Sequence, residues 1–428
     1  MNTIKSHIIP FQLIKGTFMV LALKSSGALC TLAINLIISN KFGASTLGTY
    51  QLILTLLIVF GILGRLGLDT YSVKFIPSSK GNPSLQTGFI LRALVLSISA
   101  TILLSILTNV FAYEISEWLF SSDSFILIKG LSLVLVPYVV FTLISEFFKA
   151  FEQVALFAFF RNAMLPLLVL LFLLVSISYS DIQASPVYIL YTAIICVFIM
   201  TGLFFWRFLQ RSGFSISEAK LLQSSRSILN AAYPMLFVSS SIFLLNYLDY
   251  YFISIFLTEA EVGRYAACVQ LSMLLSFLLN ATNSYISPQL SFDYIKSNYR
   301  QLKEGFWNAL KLNISIAIPL FTLMAVKPSF FLGLFGEEFI QSNTTLILVS
   351  GGFLINALCG PVGTFMNMTD SQRQFMRITI IAVLTNLGLN ICLIPVMGIN
   401  GAAIATLIST SIWNVAGFIH LKFFKKMI

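Results

Sequence analysis

Charge is scarce in this 428-residue chain. Asp, Glu, Lys and Arg make up 10% of it, against 57% hydrophobic residues, and the mean hydropathy is +0.91. Soluble domains carry about 25% charged residues, so a water-soluble fold is excluded. Histidine and cysteine are also sparse, at two and five. Cys30, Cys196, Cys268, Cys359 and Cys392 have no ligand-like spacing, and His7 and His420 stand apart. No metal site or disulfide framework is expected, and the cysteines read as small buried residues. The phosphate loop G-x-x-x-x-G-K-[ST] is missing, which argues against an intrinsic ATPase. No outside loop is long enough for a glycosyltransferase or polymerase site, no close carboxylate pair suggests acid/base work, and Glu337-Glu338 reads as a solvated loop. The chain is not expected to be an enzyme.

What remains is a succession of apolar runs, each long enough to cross about 30 Å of hydrocarbon. Twelve are expected, at approximately 17–39, 45–66, 88–112, 125–147, 157–179, 185–206, 231–256, 262–285, 308–328, 343–367, 375–397 and 401–421. Backbone groups in lipid must be paired within a segment or by closed strand pairing, and these runs lack the alternation of barrel strands. The expected fold class is therefore all-α and polytopic. The opening MNTIKSHIIPFQLIKG lacks the pattern of a cleaved signal, so the first span is expected to stay in the mature protein.

The net charge of +10 could suggest a nucleic-acid ligand, but its distribution points to topology. With the N-terminus placed in the cytoplasm, the inside segments collect Lys5, Lys15, Lys74, Lys80, Lys149, Arg207, Arg211, Lys303 and Arg377 among others, while the outside loops keep essentially Lys41, Arg264 and Lys327 beside acids such as Glu114, Glu117, Asp181, Glu259 and Glu261. This is the positive-inside pattern, and it puts both termini in the cytoplasm.

Leu47-Gly48-Thr49-Tyr50, after the first span, is echoed by Val262-Gly263-Arg264-Tyr265 after the seventh. A return to the same face after half the chain implies an even number of crossings per half, hence two parallel six-helix repeats. The expected domains are an N-terminal lobe at 1–206, a cytoplasmic amphipathic linker at 207–230 and a C-terminal lobe at 231–428. The alternative is two unrelated loops, with Gly turning the chain and Tyr in the interfacial aromatic belt.

Charged side chains within a bilayer call for a partner or a wet cavity. Lys24 lies well inside span 1 and shares a helical stripe with Thr31, Asn35 and Ser39, which predicts a cavity there. Lys311 on span 9 and Arg92 and Arg161 at the starts of spans 3 and 5 are further candidates for an anionic substrate, with snorkelling to headgroups as the alternative. Gly61, Gly64 and Gly67 suggest close helix packing. Pro166, Pro234, Pro319 and Pro395 are candidate bends.

A second cluster is expected in the C-terminal half. Asn386 and Asn390, four residues apart, share a face of span 11 with Thr379, Thr406 begins a polar stripe on span 12, and Asp249 is the one acid deep in a helix. Such an oxygen-only set suits a hard cation, and structural hydrogen bonding between helices is the alternative.

The run 229–291, with Pro234, Asp249, the Val-Gly-x-Tyr turn and Pro288, resembles the second lobe of polysaccharide-export flippases. These are the O-antigen (Wzx-type) members of the multidrug/oligosaccharidyl-lipid/polysaccharide superfamily. NLGLNICLIPVMGINGAAIATLIS at 386–409 and GASTLGTYQLILTLL at 43–57 resemble the same family. The resemblance implies a MATE-like fold and transport of undecaprenyl-diphosphate-linked oligosaccharide across the cytoplasmic (inner) membrane for O-antigen, lipopolysaccharide or another surface polysaccharide. It makes a polysaccharide polymerase and a chain-length regulator candidate partners. Lys24, Thr31, Asn35, Lys311, Arg161 and Arg92 would meet the substrate. Asp249, Asn386, Asn390 and Thr406 are similar to the sodium site of lipid II flippases, with Asn390 replacing a second carboxylate. The coupling ion is therefore left between sodium and a proton, and no other cofactor is implied. A MATE-like multidrug/cation antiporter is the competing class, and an integral-membrane enzyme a third.

Overall fold

A computed structural model describes residues 11–79, 81–120, 124–178, 184–211, 224–369 and 371–424. The linker expected at 207–230 lies partly outside the described residues, which omit 212–223. Every regular element among the described residues is helical. The α-helices run α1 (Phe11–Arg65), α2 (Leu68–Ser78), α3 (Pro83–Val110), α4 (Ala112–Leu119), α5 (Phe125–Ala150), α6 (Val154–Ala158), α7 (Met164–Ser178) and α8 (Pro186–Arg211). They continue with α9 (Ser225–Phe256), α10 (Glu259–Ile295), α11 (Tyr299–Val326), α12 (Pro328–Gly333), α13 (Asn343–Cys359), α14 (Val362–Met368), α15 (Gln372–Met397) and α16 (Ile399–Ile419).

The twelve expected runs lie largely on helix, the tenth, 343–367, being broken at Gly360-Pro361 between α13 and α14. Nine stretches among the described residues are long and apolar enough to cross a membrane. The first, Met19–Arg65, is 47 residues long and contains two of the expected spans. They are divided at Gly43, whose φ of 84° and ψ of 174° are open only to a residue without a β-carbon. Serine and threonine inside the helices give their hydroxyls to carbonyls one turn back, as Thr55 does to Gln51 and Thr101 to Ser97. That removes the cost of an unpaired polar group in an apolar surrounding.

The chain forms two compact units. The first comprises Met1–Ile34, Phe60–Asn109 and Lys129–Phe237. Its core includes an aromatic stack in which the Phe148 ring lies 5.7 Å from Phe160 and 5.5 Å, edge-on, from Phe205. The candidate bend at Pro166 sits just beyond a π-turn at Phe159–Ala163. Proline has no N–H to give the carbonyl four residues back, and that carbonyl, of Asn162, is one that α1 approaches closely. A β-carbon on Gly27 would stand 2.0 Å from the Asn162 oxygen, so only glycine fits. Gly61 and Gly64 make the close contacts expected of them, against Tyr138 and Thr101.

The second unit comprises Asn35–Val59, Val110–Ile128 and Val238–Ile428. Here α16 packs on α13 and α15, and α10 on α11 and α13. A core of Leu302, Phe306, Leu310, Val362 and Phe365 includes an edge-on contact of 5.3 Å between Phe306 and Phe365. Pro319 and Pro395 lie inside α11 and α15. Two expectations are corrected. Cys392 is exposed rather than buried, because it falls on the outer side of α15. Glu338 is not merely a solvated loop residue: its Oε1 accepts the amide hydrogen of Ala44 at 2.6 Å, an orphan donor where α1 restarts after Gly43.

Candidate functional site

In the second unit α9, α10, α15 and α16 converge on the carboxylate of Asp249. Asp249 is 4% exposed, Asn386 1% and Asn390 0%. The Asn390 amide donates to Asp249 Oδ1 at 2.6 Å, and the Asn386 amide to the same oxygen at 3.2 Å. The hydroxyl of Thr406 donates to Oδ2. The four residues expected to form a cluster thus meet at one carboxylate, and the i, i+4 placement of Asn386 and Asn390 aims both side chains from one face of α15.

A fifth member was not anticipated. The Tyr265 hydroxyl donates to Asp249 Oδ2 at 2.6 Å and lies 3.1 Å from Thr406 Oγ1. Tyr265 is 1% exposed, so the tyrosine of the repeated Val-Gly-x-Tyr element is a buried partner of Asp249, not an interfacial anchor. Its ring stands edge-on to Tyr250 at 5.7 Å. Asn390 also donates to Asn386 Oδ1 at 3.0 Å. Asn390 Oδ1 is buried with no hydrogen-bond partner among the described residues, and so is the hydroxyl of Thr379. A buried acceptor without a donor is costly, and a cation is the kind of ligand that would satisfy it. The oxygens of Asp249, Thr406 and Asn390 are hard donors of the type that suit a hard cation or a proton, not a soft metal.

The residues expected to meet an anionic substrate are more dispersed. In the first unit Lys24 is exposed and Thr31 is half-buried, its hydroxyl returned to Gly27. The Gly27 contact with Asn162 sets the part of α1 that carries Lys24 beside the π-turn that carries Arg161. Arg161 faces Glu146 at 3.8 Å, and Arg92 is half-buried on α3. In the second unit Lys311 is exposed on α11. Asn35, 1% exposed, gives its amide to Gln270 at 3.3 Å and accepts from Gln51 at 3.1 Å. The stripe drawn from Lys24 to Ser39 is therefore divided between the units. Its Asn35 is tied into a row of carboxamides.

An ion pair with a buried arginine in the first unit was also not anticipated from the sequence. Arg65, 5% exposed, holds Asp69 at 2.8 Å and donates to Thr142 at 3.0 Å. The spacing of four in RLGLD was the available signal, overlooked because the glycines there drew the reading.

The fold that carries this cluster is a known one. The fold is shared with an inward-facing multidrug resistance MATE family transporter of the MOP superfamily, at a TM-score of 0.74 and 15% identity over 94% of this chain and 96% of that one. It is equally shared with the lipid II flippase MurJ in an inward closed conformation, at 0.74 and 15% over 96% of this chain and 87% of that one. The family model for polysaccharide biosynthesis proteins matches residues 13–291, and the chain belongs to that family. Among curated proteins it is 29% identical over 210 residues to the "Probable low-salt glycan biosynthesis flippase Agl15" of Haloferax volcanii, covering 47% of this chain and 44% of that protein. It is 25% identical over 173 residues to the "Probable flippase AglR" of the same organism, covering 40% and 36%. The chain thus spans less than half the length of the curated relatives it matches.

Proposed function

We propose that this protein is a flippase that carries a lipid-linked oligosaccharide from the inner to the outer leaflet for surface polysaccharide assembly. The observation that carries the reading is the match to the polysaccharide biosynthesis family over residues 13–291, supported by two relatives named as probable flippases, one of them of glycan biosynthesis. In the finer reading the substrate is an undecaprenyl-diphosphate-linked repeat unit, such as an O-antigen unit, and the membrane is the cytoplasmic (inner) one with both termini inside. A polymerase and a chain-length regulator would receive the product.

The chemistry needed is modest, because no bond is made or broken. A diphosphate must be drawn from water, for which Lys24, Arg92, Arg161 and Lys311 supply positive charge, while Thr31 and Asn35 offer hydrogen bonds to sugar hydroxyls. Alternating access needs an energy source, and the Asp249 cluster suits a coupling cation, sodium or a proton. Carboxylate charge buried among neutral partners is the kind of group whose loading shifts a two-state equilibrium. A multidrug antiporter is the second reading, favoured by the equal fold likeness to a MATE transporter. It would need acids lining its lumen for cationic substrates, and Asp249 is the one acid deep in a helix that the sequence offers.

The test is transport of a lipid-linked oligosaccharide in proteoliposomes with sodium and pH gradients imposed separately. Movement driven by either gradient and lost in Asp249→Asn supports the coupled flippase. Export of a cationic dye without movement of the glycolipid supports the antiporter.

A further inference from the structure

Tyr265 occupies a position that the coupling reading leaves unexplained. Its hydroxyl and that of Thr406 both donate to Asp249 Oδ2, while Oδ1 takes the two carboxamides. Each oxygen of the carboxylate is thereby saturated by protein donors. A cation that binds this carboxylate must displace at least one of them. The carboxamides can stay and turn: a half-rotation of Asn390 exchanges its N–H for Oδ1, the buried acceptor without a partner. A threonine hydroxyl rotates its hydrogen away and offers a lone pair from the same atom. The phenol is the poorest ligand of the set, because its oxygen shares a lone pair with the ring and its O–H keeps to the plane of a ring packed against Tyr250, so it serves the carboxylate better as a donor than a cation as an acceptor.

The ring is joined to a second feature. Two residues before it, Gly263 makes a backbone contact so close that a β-carbon there would stand 2.1 Å from the Ala44 oxygen and 3.0 Å from the Gly48 nitrogen. Ala44 is also the residue whose amide Glu338 caps. The Tyr265 ring thus stands less than one helical turn from the contact between α10 and the restart of α1.

We infer that Tyr265 is a positioning residue that holds the Asp249 carboxylate in the absence of a cation, is displaced when a small hard cation binds there, and passes that displacement through Gly263 to the Gly48 contact. The inference rests on the coupling reading above. Tyr265→Phe keeps the ring and its packing but removes the competing donor, so the cation meets a less occupied carboxylate. Thr406→Val removes a group that can turn into a cation ligand and should act in the opposite sense.

The experiment is a sodium titration of the full-length protein in nanodiscs, with potassium holding ionic strength constant. It is read by amide hydrogen exchange in 44–50 and 259–266 and by the thermal midpoint of each variant. In the wild type sodium should change exchange in both segments, and Asp249→Asn should abolish the response. Tyr265→Phe should half-saturate at about tenfold lower sodium, the scale of one hydrogen bond to a charged group. It should also lose the response in 44–50 while keeping that in 259–266. Thr406→Val should half-saturate at higher sodium. An unchanged midpoint and titration in Tyr265→Phe, beside a wild-type response that depends on Asp249, overturns this inference and leaves sodium coupling standing. A wild type indifferent to sodium overturns both. A Tyr265→Phe protein with a collapsed thermal midpoint and a weakened sodium response assigns Tyr265 to packing alone and also overturns the inference.

Discussion

Gly48 and Gly263 meet reciprocally: a β-carbon placed on either would lie 3.0 Å from the backbone nitrogen of the other. The two glycines come from the repeated aliphatic-Gly-x-Tyr element, so the repeat is also a contact. The same placement puts the hypothetical Gly48 β-carbon 1.7 Å from the Glu259 oxygen. Backbone this close has no room for a methyl group.

Gly48→Ala and Gly263→Ala should each destabilise the present packing by about 1–3 kcal/mol, the usual cost of overpacking. Thermal unfolding in detergent should show a lowered midpoint for both. The double variant should cost less than the sum, since a single separation of the two backbones accommodates both methyls. Strict additivity would show that the two positions do not share one contact.

Asn390→Asp adds a second carboxylate beside Asp249. Two like charges this close repel unless a cation lies between them. The variant should depend more steeply on sodium than the wild type, with a thermal midpoint that is lower in potassium and recovers in sodium. Equal midpoints in the two salts would argue against a cation at this cluster.

Arg65→Ala should leave the partly buried Asp69 without its partner at 2.8 Å. The loss should fall below the roughly 3–5 kcal/mol of breaking a fully buried pair, because Asp69 keeps some access to solvent. Membrane abundance and the detergent midpoint should both fall. Removing Asp69 as well should restore much of the loss, because the residual cost is mainly that of an unpaired charge. A double variant as unstable as the single one would place the role of Arg65 in its bond to Thr142.

Lys24→Ala, at normal membrane abundance, should fail to restore surface polysaccharide in a strain lacking the protein, and Lys24→Arg should restore more. Full restoration by the alanine variant removes Lys24 from the substrate path. Exposure of Lys24 in the first unit predicts little change in thermal midpoint for either variant, which separates this outcome from misfolding.

Much of this protein was legible in its sequence. Apolar runs of membrane-spanning length dictate helices, because lipid offers no partner to an unpaired backbone group, and the twelve runs lie largely on helix. The Asp249 cluster was legible for a related reason. In so apolar a chain each buried carboxylate or carboxamide is conspicuous, and a spacing of four fixes Asn386 and Asn390 to one face. Periodicity, however, reports only which residues share a face of one helix. Which faces meet was decided by packing. Tertiary structure brought Tyr265 to Asp249, set Gly27 on the carbonyl of Asn162, placed Glu338 on the amide of Ala44 and joined Asn35 to Gln51 and Gln270. It also divided the polar stripe of α1 between two units at Ile34 and Asn35, since a helix this long meets different neighbours along its length.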